Sequence, residues 1–141
     1  MERILISACL LGLKCRYDGE SKPCDIDKLK EKYELIPFCP EIYGGLPTPR
    51  DGAEIKGDRV MTKKGKDVTE KYLLGAEEAL SICKYLNIKK ALLKEKSPSC
   101  GTGFVYDGSF TKSLVPGFGI TAKKLLENGI EVYGESETDS L

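Results

Sequence analysis

A chain of 141 residues is long enough for one domain with its own core and too short for two ordinary ones. Its 22 Lys and Arg balance 22 Asp and Glu, so no net field draws it toward nucleic acid or an anionic membrane. The absence of histidine removes His-ligated zinc sites, Cys-His dyads and imidazole proton transfer, which leaves carboxylates, lysine, tyrosine, thiols and water for acid/base work.

Residues 3–7 (Arg-Ile-Leu-Ile-Ser) form an apolar run too short for a helix, which suits a strand buried on both faces. The longer run Ile4 to Leu13 is interrupted by Ser7, Cys9 and Gly12 and is too short to span a bilayer. It lacks the basic n-region and cleavage site of a secretory leader. A cytoplasmic location is therefore expected, where six cysteines read as metal-binding, catalytic or buried thiols rather than disulfides.

The stretch 10–24 reads as a loop, and Asp25 caps a short helix near 26–32 on which Ile26 and Leu29 share a face. A second strand is expected at 34–38, and its Pro37, which has no N–H to donate, means that it lies at a sheet edge or stops early. From Pro40 to Gly65 the chain is a Gly- and Pro-rich insertion expected to cover part of a site, with one short extended piece at Arg59 to Thr62. Asp67 or Thr69 caps the longest helix, 69–86, with a core stripe of Tyr72, Leu73, Ala76, Ala79, Leu80, Cys83 and Leu86.

Residues 90–94 make a third strand, ended by the turn 96–103. A small extended segment at 103–106, a helix at 119–127 stopped by Asn128-Gly129, and a strand at Ile130 to Tyr133 follow. The alternation gives an α/β fold: a small parallel-sheet sandwich, Rossmann-like βαβαβαβ, with about four main strands and the long insertion after strand 2. One domain is expected over 1–134 and a polar, frayed tail over 135–141.

In an open parallel sheet the connecting loops gather beyond the carboxyl ends of the strands, and ligands bind there. Cys9 follows the first strand, Cys39 the second, and Cys100 lies in the turn after the third. Topology thus brings together three thiols that sequence spacing separates. Cys15 and Cys24 share the first loop, and Cys15 is a possible extra ligand, whereas Cys83 falls on the apolar stripe of the long helix and reads as core. No Cys-x-x-Cys is present, so neither a dithiol redox pair nor a paired-cysteine zinc site is indicated. Three thiolates without histidine suit a soft metal or an iron-sulfur cluster.

Glu41, two residues beyond Cys39, is the candidate general acid/base. Ser97 and Ser99 supply hydroxyls in the Cys100 turn, Gly101 sets that turn, and Arg16 and Arg50 are available to an anionic group.

Taken together, Ser7-Ala-Cys9-Leu-Leu-Gly12, Cys15-Arg-Tyr-Asp-Gly19, Cys39-Pro-Glu41, Gly44-Gly45-Leu46, Pro49-Arg50, Asp67-Val-Thr69 and Ser97-Pro-Ser-Cys100-Gly101 resemble the thiouracil desulfidase domain. Tyr106-Asp-Gly108 and Gly117-x-Gly119-Ile-Thr121 extend the resemblance over nearly the whole chain. The resemblance implies a [4Fe-4S] cluster on Cys9, Cys39 and Cys100, with one iron free to take the sulfur of a 2- or 4-thiouracil-like base. It implies that Glu41 activates water, that Ser97 helps position the base, and that Cys15 and Cys24 are bystanders although near the site; Ser99, Arg16 and Gly101 are further candidates to contact the substrate. Some longer members of that family act on thiolated tRNA, but the lack of a strongly basic face here favours a free base or small metabolite. A non-catalytic sulfur or iron-sulfur carrier, or a structural cysteine-metal module, would use the same thiols without an acid/base residue.

Overall fold

In the computed structural model, which describes residues 1–141, the apolar runs become a four-stranded sheet. Strands β1 (Glu2–Ser7), β2 (Tyr33–Phe38), β5 (Lys90–Leu93) and β8 (Glu131–Gly134) are mutually parallel in the order β2-β1-β5-β8. β2 is an edge strand, as Pro37 requires. Pro37 sits opposite Ile6 in the register.

Side chains on a strand alternate between faces, and this alternation divides the core into two layers. Leu5, Ala91 and Leu93 join Ala79, Leu80 and Cys83 of α3 (Thr69–Leu86) and Ala122 and Leu125 of α4 (Ile120–Glu127). Ile4, Ile6 and Leu92 join Leu29 of α1 (Asp27–Lys32), Tyr33 and Leu10 on the other face. Ile4, Leu5, Ile6, Leu92 and Leu93 are each no more than 1% exposed, and full burial of one such side chain is worth about 1.5–3 kcal/mol. The central strands therefore carry much of the driving force for the fold.

Asp25 accepts the Asp27 N–H at 3.0 Å where α1 begins, and Asp67 accepts the Thr69 N–H at 2.9 Å where α3 begins. Asn87 ends α3 in the left-handed conformation, at φ 56°. α3 differs from expectation at Leu73, which is 44% exposed. Its place in the packed face is taken by Gly75, against which the backbone of α2 (Pro40–Tyr43) lies.

The insertion is more structured than its composition suggests. Besides α2 it contains the hairpin β3 (Ala53–Lys56) and β4 (Arg59–Thr62), joined by Gly57-Asp58 with Gly57 at φ 64°. A two-residue loop opened by a positive-φ glycine is a hairpin signal readable in the sequence. The hairpin's Val60 packs with Val68 and Tyr72. A second hairpin, β6 (Phe104–Tyr106) with β7 (Leu114–Pro116), follows the Cys100 turn.

The tail is folded rather than frayed. Residues Glu135–Ser140 form a 3-10 helix in which Glu135 pairs with Lys94 at 2.8 Å and accepts the Glu95 N–H at 2.6 Å. Glu95 in turn accepts the Ser136 N–H at 2.6 Å. Reciprocal bonds of this kind outweigh the tail's low hydrophobicity. No helix is long and apolar enough to cross a membrane.

Candidate active site

The strand order reverses direction between β1 and β5, the position at which open α/β sheets bind ligands. A cavity of about 640 Å3 lies there. Cys9, Cys39, Cys100 and Cys15 all border it, with Glu41, Arg16, Arg50, Ser97 and Ser99. Its wall carries seven Lys or Arg against three Glu, so a locally positive site is built into a chain of zero net charge.

Local structure fixes each thiol. Cys9 lies in the 3-10 turn Ala8–Leu11 that continues β1, and its carbonyl accepts the N–H groups of Gly12 and Lys22, pinning the first loop. Cys39 precedes α2, whose Pro40 occupies the first helical position, where no N–H is needed. Cys100 sits in the turn after β5. The first N–H groups of α4 bond that turn: Ile120 to the Pro98 carbonyl at 2.9 Å and Thr121 to the Ser99 carbonyl at 2.8 Å. Gly119 is required there, because a Cβ would overlap the Ser99 carbonyl.

The thiols sense one another. Burial raises Cys9 to about 11, with Cys39 adding to the rise and Lys94 and Arg16 opposing it. Burial raises Cys100 to about 12, opposed by the neighbouring Ser7 and Ser99 hydroxyls. Cys39 is lowered to about 7, chiefly by a hydrogen bond from the Cys15 thiol, which pushes Cys15 up in turn. A metal that binds thiolate would displace the protons that burial retains on Cys9 and Cys100.

No three His, Cys, Asp or Glu side chains close on a single point that would fit one ion. A lone tetrahedral ion with bonds of about 2.3 Å would need its sulfurs only about 3.8 Å apart. The thiols instead stand around a cavity. That arrangement, with three soft ligands and no histidine, fits a polynuclear iron-sulfur group, in which each cysteine binds a different iron.

Glu41 is the hub of the polar side of the cavity. Its Oε1 accepts Arg50 Nε at 3.1 Å and the Tyr72 hydroxyl at 2.8 Å, and its Oε2 accepts the Ser99 hydroxyl at 2.9 Å. Ser99 is 1% exposed and lies 3.0 Å from the Ser97 hydroxyl and 3.6 Å from Cys100 Sγ. Because an ionised carboxylate only accepts, the chain runs from Ser97 to Ser99 to Glu41, each hydroxyl donating to the next. Ser97 is also bonded by the N–H groups of Ser99 and Cys100, both at 3.1 Å.

Of the residues singled out from the sequence, Gly101 is not brought to the cavity. It lies beneath the turn, where a Cβ would stand 2.6 Å from the Ser97 carbonyl oxygen. Its small size is required by this packing. Arg16 borders the cavity, 3.5 Å from Asp18. Cys15 borders the cavity near Cys39, and both Cys15 and Cys24 pack beside the Leu29 cluster. The sequence reading missed Tyr72, assigned to the core stripe, and gave Arg50 no partner. A tyrosine on a helix face turned toward a loop glutamate was the available signal.

A family model described as 2-thiouracil desulfurase matches residues 4–137. The Bacillus subtilis (strain 168) protein YbbK is 40% identical over 149 aligned positions, spanning 98% of this chain and 99% of YbbK. Among solved structures, a [4Fe-4S]-dependent thiouracil desulfidase, TudS, matches with a TM-score of 0.96 and 46% identity, covering 100% of this chain and 95% of TudS.

Proposed function

The chain belongs to the 2-thiouracil desulfurase family, and from that premise we propose that it is a [4Fe-4S]-dependent desulfidase. It replaces the sulfur of a thiolated pyrimidine such as 2- or 4-thiouracil with oxygen and releases hydrosulfide. Cys9, Cys39 and Cys100 would hold the cluster, which when bound would supply Lewis-acid polarisation of the carbon-sulfur bond.

The observation that carries this reading is the Glu41 carboxylate, placed on the wall of the same cavity as the three thiols and tied to the Cys100 turn through Ser99. Water adds to the thiolated carbon, a carbon-oxygen bond forms and the carbon-sulfur bond breaks, with no net redox change in the substrate. Glu41 takes one proton from the water and returns it to the departing sulfur, and the proton left on the added hydroxyl is lost to solvent as the oxo group forms. Ser97 presents a hydroxyl at the cavity wall, and Ser99 links it to Glu41. A sulfur carrier or a structural thiol module would have no use for a glutamate held by three donors.

Anaerobically reconstituted protein is expected to bind about four iron and four sulfide per chain and to form uracil from thiouracil. Glu41→Gln should keep its iron while turnover falls about 10²- to 10⁴-fold. Cluster-loaded wild-type protein without uracil formation would defeat the reading, and unaltered sulfur transfer in Glu41→Gln would favour a carrier.

A further inference from the structure

The donors on Glu41 are unevenly shared. A carboxylate offers about four acceptor positions, two on each oxygen. Oε1 takes both Arg50 and Tyr72 and is filled, whereas Oε2 takes only Ser99 and keeps one position open. Neither donor on Oε1 is easily displaced. The Arg50 side chain is 6% exposed and is anchored again on the carbonyls of Cys15 at 3.0 Å and Pro47 at 3.2 Å. Tyr72 is 2% exposed, on a long helix, packed with Val60 and Val68. Burial and the adjacent carboxylate hold its phenol well above the usual value, so it remains a donor.

We propose that Tyr72 is a positioning residue for desulfuration: with Arg50 it occupies both acceptor positions of Glu41 Oε1, and so makes Oε2 the oxygen that takes the proton from water. The proposal rests on the desulfidase reading and on Glu41 as its acid/base. The water O–H bond breaks as the carbon-oxygen bond forms, and the proton passes to Oε2 and then to the departing sulfur. Tyr72 and Arg50 keep their protons throughout. Because the Tyr72 hydroxyl is spent on Glu41, its loss affects proton transfer rather than substrate affinity.

Cluster-loaded Tyr72→Phe is expected to lower kcat about tenfold or more, with KM within about twofold and iron content unchanged. In the Glu41→Gln background the same substitution should change kcat by less than about twofold, because it acts through the carboxylate already removed. Turnover within twofold of wild type, or an equal loss in both backgrounds, would overturn the proposal. A second measurement needs neither cluster nor turnover. In cluster-free protein, the antisymmetric carboxylate stretch assigned to Glu41 by its disappearance in Glu41→Gln should shift in Tyr72→Phe, and an unmoved band would overturn the proposal. Should Tyr72→Phe fail to fold, Arg50→Met removes the other Oε1 donor and is read by the same criteria. Wild-type protein that forms no uracil defeats the desulfidase reading, while the infrared band still judges the clamp.

Discussion

The Ser97 hydroxyl accepts the N–H groups of Ser99 and Cys100 and lies 3.0 Å from the Ser99 hydroxyl, so one oxygen both shapes the Cys100 turn and opens the path to Glu41. Ser99 carries only the second task, since its hydroxyl donates to Glu41 Oε2 while its backbone serves α4. The two substitutions should therefore separate. Ser99→Ala is expected to lower kcat about 10- to 100-fold with a smaller loss of melting temperature than Ser97→Ala. Ser97→Ala should lower kcat and also destabilise the protein by about 1–3 kcal/mol, because two N–H groups lose their acceptor. Kinetics and thermal melts on the same preparations decide this, and indistinguishable variants would reject the division of labour. At this scale the thiols and Glu41 were legible in the sequence, since each directly follows a readable strand or turn. Tyr72 was not. An apolar stripe assigns a residue to a helix face, and a buried tyrosine on that face looks the same whether its hydroxyl is idle or bound.

Between α2 and α3 no side chains separate the backbones. A Cβ on Gly75 would overlap the Pro40 carbonyl, and one on Gly44 would overlap the Lys71 carbonyl, so the two glycines set how closely the Cys39-Pro40-Glu41 segment approaches α3. Alanine improves helix propensity by about 0.8–1.0 kcal/mol, but overpacking against backbone that cannot rotate away costs about 1–3 kcal/mol. Gly75→Ala is therefore expected to be net destabilising and to lower both iron loading and turnover by shifting Cys39 and Glu41. Denaturant titration and iron analysis test this, and a variant as stable as wild type would remove the contact's role. Most elements were legible in the sequence, the short α1, β4, β6, α4 and β8 as well as the apolar β1, β5, the long α3 and the edge strand with Pro37. α2, β3 and β7 have three or four residues each and depend on partners remote in sequence, so local propensity could not specify them.

Across the whole molecule, the tail and the site are mechanically linked. Glu135 holds Lys94, which borders the cavity, and Leu141 packs beside the Leu29 cluster on the far side of the sheet. Glu135→Ala should reduce stability by about 1–3 kcal/mol, since it strands a half-buried ammonium and leaves the Glu95 N–H without its acceptor. Chemical denaturation measures this, and an unchanged midpoint would show the tail to be dispensable. Composition alone marked the tail as solvent, because a charged segment reveals its partners only once β5 and β8 are paired. The origin of the three thiols at the ends of β1, β2 and β5 also sets an order of events during synthesis. A growing chain holds no complete ligand set until residue 100 has left the ribosome and β5 has docked against β1. Insertion of a cluster on all three thiols thus waits for a late, largely folded stage, and iron that arrives earlier meets an incomplete ligand set.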